Sequence, residues 1–463
     1  MRRVMMFDMD LMRRYDVRGP RYTSYPTALQ FSDAFDEAAY REAATASNEE
    51  PIPRDLSIYV HLPFCEKACY YCACHRSITQ RKDRADAYLT HLATEIHRQS
   101  SLFDPDRTLR QLHLGGGTPT YHSLEQLGWL MNSLGQAFQM APAAEREFSV
   151  EIDPRSVSED DIRGLVAIGF DRMSLGIQDF DPRVQQAVNR IQPVESVRRQ
   201  VAAVREAGAR GLSFDLIYGL PHQNTESFAR TLDTVIELAP DRLSIYGYAH
   251  MPDRFPVQRL MNEDAMPGAA ERLDLFATAV SKLTEAGYEH IGMDHFARPD
   301  DPLVRARDQG RLHRNFQGYS THAECDLIGL GASAIGKIGD SFSQNLADIR
   351  TWQQTLEDGR LPIARGLSLS ADDRIRQQVI QNIMCNGHLD TRDVARRHHI
   401  DFWSYFAATI PMLRQMADDG LLSFDSHGFQ VSSAGRFLLR HVAMLFDAYN
   451  GPGRSESRFS RVI

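Results

Sequence analysis

Y-V-H-L-P-F-C-E-K-A-C-Y-Y-C-A-C, running from Tyr59 to Cys74, decides the reading of this chain. Cys65, Cys69 and Cys72 stand in C-x3-C-x2-C spacing, and Cys74 follows two residues on. Three thiolates on one short loop can hold three irons of a [4Fe–4S] cluster and leave the fourth without a protein ligand; structural clusters use four cysteines. An open iron invites a small molecule to bind the metal directly. Zinc is the rival, because it also takes clustered cysteines, but as a CxxC-type pair matched by a distant second pair. The other two cysteines, Cys325 and Cys385, are isolated from each other. With so few cysteines elsewhere and no secretory signal, a disulfide framework is disfavoured as well.

Outward from this stretch, short apolar strands alternate with amphipathic helices from about Leu56 to Ala297. The strands are expected at 56–62, 111–115, 147–152, 172–177, 211–217, 241–248 and 288–293. Helices are expected at 85–102, where Leu89, Leu92 and Ile96 share a face, and at 269–287, which ends on Gly287. Such alternation builds a parallel sheet with right-handed crossovers. Six to seven repeats predict an α/β fold, a partial or full parallel βα barrel, with a doubly wound sheet as the alternative. Function then belongs at the C-terminal ends of the strands. The cysteine loop follows the first strand and Gly115-Gly116-Gly117-Thr118-Pro119 the second. Glu151, Asp153, Gln178, Asp179, Asp215, His250, Asp294 and His295 fall at or near the ends of later ones. Any one of them could be a cap or turn residue; polar residues at the same edge of every strand are harder to dismiss. The glycine run lets backbone approach a ligand closely, without the spacing of a dinucleotide or phosphate loop.

At 463 residues the chain has room for two or three units. We expect an N-terminal arm over 1–50, the barrel over 51–300, a barrel extension and connection over 301–365, and a mainly helical C-terminal domain with a tail over 366–463. That last region reads as helices near 372–384 and 390–417, a hairpin near Leu421–Val431 and a helix from Ala434, a winged-helix-like order. Its helices mix acids with arginines and show no basic recognition stripe. A net charge of −9 also argues against general nucleic-acid binding. No apolar run approaches a membrane span, and the start lacks a clear signal peptide. A reducing, cytoplasmic setting and a monomer are expected.

The cysteine run, with aromatic Tyr71 just before its third cysteine, resembles the radical S-adenosylmethionine (SAM) superfamily. In that superfamily SAM chelates the open iron, and the reduced cluster splits it to a 5′-deoxyadenosyl radical. The resemblance narrows on dispersed motifs: G-P-R-Y-T-S-Y-P-T-A from Gly19, the added Cys74, H-L-G-G-G-T-P-T, V-N-R, D-L-I-Y-G-L-P, Y-A-H, G-M-D-H-F-A-R-P-D-D, H-R-N-F-Q-G-Y and the terminal F-S-R-V-I. Together they resemble the oxygen-independent coproporphyrinogen III oxidase family over nearly the whole chain. Ser320 stands where the family has Thr and Tyr71 where Phe is common.

The resemblance implies oxidative decarboxylation of two propionates of coproporphyrinogen III to vinyl groups in haem biosynthesis. It implies one [4Fe–4S] cluster on Cys65, Cys69 and Cys72, and SAM at two sites. Tyr59, Gly116 and Glu151 match contacts of the cluster-bound SAM. Tyr71, Gly117, Thr118, Gln178, Arg190, Asp215, Ala249 and Ile335 match a second SAM site, with Gln317 nearby. A low-potential electron donor such as flavodoxin or ferredoxin is implied too. Arg21, among the arginines and tyrosines of the arm, is the candidate partner for a substrate propionate; the alternative is an arm tied down by its tyrosines. A haem chaperone on the same core is the competing function, but such relatives commonly lack Cys74 and the arm motif.

Overall fold

The computed structural model describes residues 9–15, 17–322 and 325–450. The terminal F-S-R-V-I motif lies outside them. Six strands come first: β1 (Leu56–Leu62), β2 (Thr108–Gly116), β3 (Glu147–Ile152), β4 (Arg172–Gln178), β5 (Gly211–Tyr218) and β6 (Arg242–Gly247). Then come β7 (Glu289–Gly292), β8 (His295–Ala297), β9 (Asp326–Leu330), β10 (Ile335–Ile338), β11 (Ser341–Asn345) and β12 (Ile363–Ser368). Their order in the sheet is β7-β8-β6-β5-β4-β3-β2-β1-β9-β10-β11-β12. From β6 through β1 to β9 all neighbours are parallel. The path from β7 to β12 does not close on itself, so the barrel is a partial one.

Two expectations need correction. The 288–293 segment is a strand, but β7 reaches β6 only through antiparallel β8. The seventh parallel strand is β9, which pairs with the free side of β1 from Leu56↔Asp326 to Val60↔Leu330. It was hidden because the glycine-rich stretch after it forms antiparallel β10 and β11 rather than a helix.

Buried apolar side chains recur every second residue along β1, β3 and β5. On β1, Leu56, Ile58, Val60 and Leu62 are buried and join the apolar core with Leu89, Leu92 and Ile96 of the helix Lys82–Ser100. Phe148, Val150 and Ile152 on β3, and Leu212, Phe214 and Leu216 on β5, repeat the pattern. Each such side chain contributes roughly 1.5–3 kcal/mol. The intervening positions are polar: Tyr59 and His61, His113, Ser149 and Glu151, Ser174, Asp215, Ser244. The core therefore lies between sheet and helices, and the concave face is left for chemistry. Its floor is ionic. Glu147 lies 2.8 Å from Arg172, and Arg242 pairs with Asp301 at 2.9 Å. Burial pushes Glu147 up, but Arg242 and Arg172 outweigh it and leave its carboxyl at about 2.

The C-terminal region opens with the helix Ala371–Asn386, capped by a Ser370–Asp373 box and closed by left-handed Gly387. The expected 390–417 helix is instead three pieces, Thr391–His398, Phe402–Tyr405 and Ile410–Asp418. Left-handed His399 ends the first and Asp401 caps the second. The hairpin Leu422–Phe424/Gly428–Val431 pairs with His388–Asp390 into a small wing-like sheet. Arg392, Arg396 and Arg397 on the helix between are paired to Asp390 and Asp393.

The arm is docked on this region. Tyr15 donates to Asp419 at 2.6 Å and Tyr22 to Asp447 at 2.9 Å, and the Ala448 amide donates to the Tyr25 hydroxyl. All three rings are buried.

Candidate active site

The cysteine loop leaves the C-terminal end of β1. Phe64–Cys65 pairs in parallel with Ser77–Ile78, Cys65 opposite Ile78. Cys65 and Cys69 are buried, Cys72 is half-buried and Cys74 exposed. The sulfurs have donors. Thr118 Oγ1 donates to Cys65 Sγ at 3.3 Å. Arg155 Nη2 and Arg190 Nη1 donate to Cys69 Sγ at 3.1 and 3.4 Å. Hydrogen bonding from Cys74 lowers Cys72 and raises Cys74. Burial pushes the Cys65 thiol up to about 11 despite the Thr118 donor, so binding metal there also means losing its proton. Three sulfurs on one loop, with two guanidinium groups at Cys69, fit a [4Fe–4S] cluster. Among the described residues, no three His, Cys, Asp or Glu side chains converge on a point suited to a single ion.

The glycine run passes beside the loop. The Gly117 amide donates to Leu62 O at 2.9 Å and the Thr118 amide to Phe64 O at 2.9 Å. A Cβ on Gly117 would stand 2.6 Å from the Pro63 carbonyl. Gly116 has φ +112°, and a Cβ there would strike the His61 ring at 2.5 Å. The run is therefore demanded by packing as well as open to a ligand. Gly116 N–H also points to Glu151 Oε2 at 3.3 Å.

Glu151 is the centre of the concave face. Its Oε1 lies 3.0 Å from His113 Nε2, and its side chain is 44% exposed to the open interior. Burial works against its charge, but hydrogen bonds from His113 and Gly116 prevail and lower its pKa. Tyr59 stacks on His113 with ring centroids 5.9 Å apart, and its hydroxyl lies 3.0 Å from His61 Nδ1. Burial pushes His61 down to about 4, so the ring is neutral. Asp215 accepts from Ser174 at 3.1 Å, and burial together with the nearby Glu151 charge pushes it up to about 6.

Arg190 is gripped on several sides. It donates to Gly176 O at 2.6 Å and pairs with Asp153 at 3.0 Å, beside the Cys69 sulfur. A Cβ on Gly176 would meet Gln178 Nε2 at 2.8 Å and Arg190 Nη2 at 2.9 Å, so this glycine makes room for both. Gln178 itself has φ +64°, a strained conformation of the kind found at ligand sites. Tyr71 and Ala249 are joined by buried Gln258, whose Nε2 donates to their carbonyls at 3.1 and 3.2 Å. Ile335 backs onto Gly329, the β9 partner of Tyr59. Gln317 comes from a different part of the chain. It sits on the hairpin His313–Asn315/Gly318–Ser320 beside Phe316, which packs in a cluster that Ile335 joins.

Arg21 is ion-paired to Asp294 and lies 5.2 Å from the Tyr246 ring centroid. The structure thus shows both features of the arm, tyrosine anchors and an arginine turned toward the barrel. His61, His113 and Arg155 were missed by the sequence reading. The alternation of β1 and β2 carries the two histidines onto the face of Tyr59, and that period was the available signal. Arg155, three residues beyond the end of β3, had none.

Known proteins resemble this architecture closely. The radical SAM superfamily model matches residues 59–235 and the HemN C-terminal domain model residues 369–438. The chain is 47% identical over 457 residues to the oxygen-independent coproporphyrinogen III oxidase of Pseudomonas aeruginosa, covering 99% of each. It is 44% identical to that of Escherichia coli K12, covering 99% of this chain and 98% of the other. The solved structure of coproporphyrinogen III oxidase (HemN) from Escherichia coli, a radical SAM enzyme, matches with a TM-score of 0.91 at 43% identity, over 96% of this chain and 99% of that one. Likeness of this degree from end to end, in a chain whose cysteine loop crowns a partial βα barrel, means that it belongs to the oxygen-independent coproporphyrinogen III oxidase family of radical SAM enzymes.

Proposed function

We propose that the chain carries out the reaction of its family, the oxidative decarboxylation of two propionates of coproporphyrinogen III to the vinyl groups of protoporphyrinogen IX, without oxygen, in haem biosynthesis. One observation carries the reading: a three-cysteine loop with donors at two of its sulfurs opens onto the polar concave face of a parallel half-barrel. When bound, the cluster and SAM supply a 5′-deoxyadenosyl radical. Cys65, Cys69 and Cys72 hold the cluster. Tyr59, Gly116 and Glu151 bind the SAM at its open iron. Tyr71, Gly117, Thr118, Gln178, Arg190, Asp215, Ala249 and Ile335, with Gln317, serve a second SAM. Asp215 accepts from a ribose hydroxyl or the amine. Arg21 exchanges Asp294 for a substrate propionate. That propionate would give up a β-carbon hydrogen atom to the 5′-deoxyadenosyl radical, then carbon dioxide and one electron to an external one-electron acceptor, leaving a vinyl group.

The test is an anaerobic assay with reductant, SAM and coproporphyrinogen III that follows protoporphyrinogen, carbon dioxide and 5′-deoxyadenosine together. All three are expected in step. Product without deoxyadenosine contradicts the mechanism, and tight haem binding without turnover favours the chaperone.

A low-potential donor such as flavodoxin or ferredoxin supplies the electron, and the edge Ile78–Arg84 is the place for it to dock. Ile78 is 44% exposed and pairs directly with Cys65. The Thr79 amide donates to Cys65 O at 3.0 Å. Lys67, Arg81, Lys82 and Arg84 are exposed around it among Glu66, Asp83 and Asp86, with Arg81 paired to Asp83 at 2.7 Å, which leaves a slight local cationic excess on a chain of net charge −9. Such a face attracts an acidic carrier. Lys67→Glu/Arg84→Glu is expected to raise the half-saturating donor concentration about tenfold at low salt, with dithionite-driven turnover unchanged. Equal slowing with both reductants contradicts docking there.

A further inference from the structure

Arg314 is a buried arginine that makes no direct ion pair among the described residues, although it lies near enough to Asp294 to help hold that carboxyl down. It lies on the hairpin His313–Asn315/Gly318–Ser320, opposite Tyr319. The residue is 4% exposed. Its Nε and Nη1 are buried and have no hydrogen-bond partner, and no ion pair reaches it among the described residues. The Tyr319 ring lies 4.7 Å from its guanidinium carbon. A guanidinium withdrawn from water without a paired carboxylate is costly, and an anionic ligand would relieve that cost.

Two neighbours say what that ligand is. Arg314 lines a small cavity of about 30 Å³ whose wall includes Lys337 and the arm residues Thr23, Ser24 and Tyr25. No Asp or Glu is among the described residues of that wall. On the other side Tyr319 begins a row of rings. It packs edge-on to His295 at 5.1 Å, and His295 to Tyr246 at 5.9 Å. Arg21 stands over the far end of this row at Tyr246. Two guanidinium groups therefore flank one aromatic wall, both near the same arm. Arg21 touches Asp294 directly, whereas Arg314 feels that carboxylate only from a distance.

We propose that Arg314 binds a carboxylate of the tetrapyrrole substrate, a different propionate from the one that Arg21 receives. This rests on the functional reading above. The substrate carries four propionates, of which two react, so a non-reacting carboxylate is available to set its orientation. The planar guanidinium fork suits a carboxylate, and ring faces between the two arginines suit a pyrrole edge. Arg314 acts as a positioning residue, with no part in bond making.

The test uses anaerobic holoenzyme and two stable ligands, coproporphyrin III and its tetramethyl ester, with binding followed by fluorescence quenching. Wild type is expected to prefer the tetra-acid, and Arg314→Gln to lose about tenfold in affinity for the acid and little for the ester. Arg314→Lys, which keeps the charge without the fork, falls between. The melting temperature of Arg314→Gln is expected to hold or rise, because an unpaired buried cation is removed; a purely structural arginine would lower it. Unchanged affinity of Arg314→Gln for the acid overturns the proposal. Wild-type protein that binds neither compound overturns the functional reading itself.

Discussion

Arg155 Nη2 donates to the sulfur of Cys69 across 3.1 Å, while Asp153 holds the same guanidinium at 2.7 Å and that of Arg190 at 3.0 Å. One aspartate thus aims two arginines at one thiol. Hydrogen bonds and positive charge at a cluster sulfur ease its reduction. Arg155→Leu is expected to make the cluster harder to reduce and to slow turnover with a physiological donor about tenfold, the loss of one charge-assisted bond. A potentiometric titration followed by electron paramagnetic resonance checks it; an unchanged potential contradicts it.

Gly117 separates packing from ligand binding. Its missing Cβ would stand 2.6 Å from the backbone of Pro63, and a backbone neighbour cannot swing aside. Gly117→Ala is expected to cost about 1–3 kcal/mol, visible as a lower melting temperature in the absence of SAM. An unchanged melting temperature would show that the loop yields and that the glycine serves the ligand alone.

Asp215 gives the pH dependence. Its carboxyl is pushed up to about 6 by burial and by Glu151. The sign follows from the raised value: the protonated form favours the fold, and that contribution is full below the ordinary aspartate range and lost as the pH rises through about 6. Binding runs the other way, since an ionised Asp215 is the better acceptor for a SAM hydroxyl or amine. SAM affinity is expected to climb between about pH 5 and 7 and to be flat in Asp215→Asn. Calorimetry of SAM binding across that range decides it; a slope that survives in the variant contradicts the assignment.

The fold was largely legible because the outward strand positions are so consistently apolar. Leu56, Ile58, Val60 and Leu62 announce β1, and six strand–helix repeats can be counted before Arg298. What was illegible lies where that period ends. Asp326–Leu330 is short and followed by glycine-rich hairpins, and nothing local tells it to return beside β1. The site was half legible. Cysteine spacing marks the loop, but Arg155 reaches Cys69 from 86 residues away and Gln258 joins Tyr71 to Ala249 from 187 residues beyond Tyr71. Tertiary folding alone creates those contacts. Arg21 was read as a partner for substrate, and its pairing with Asp294 could not be inferred from a motif 273 residues away.

The central claim is that the loop of Cys65, Cys69 and Cys72 leaves one iron of its cluster open for SAM. Electron paramagnetic resonance of the anaerobically reduced protein, recorded with and without SAM beside iron and sulfide analysis, tests it most directly. The account predicts about four irons and four sulfides per chain, and a spectrum that changes when SAM is added. A spectrum indifferent to SAM, from a centre with every iron held by the protein, would contradict it.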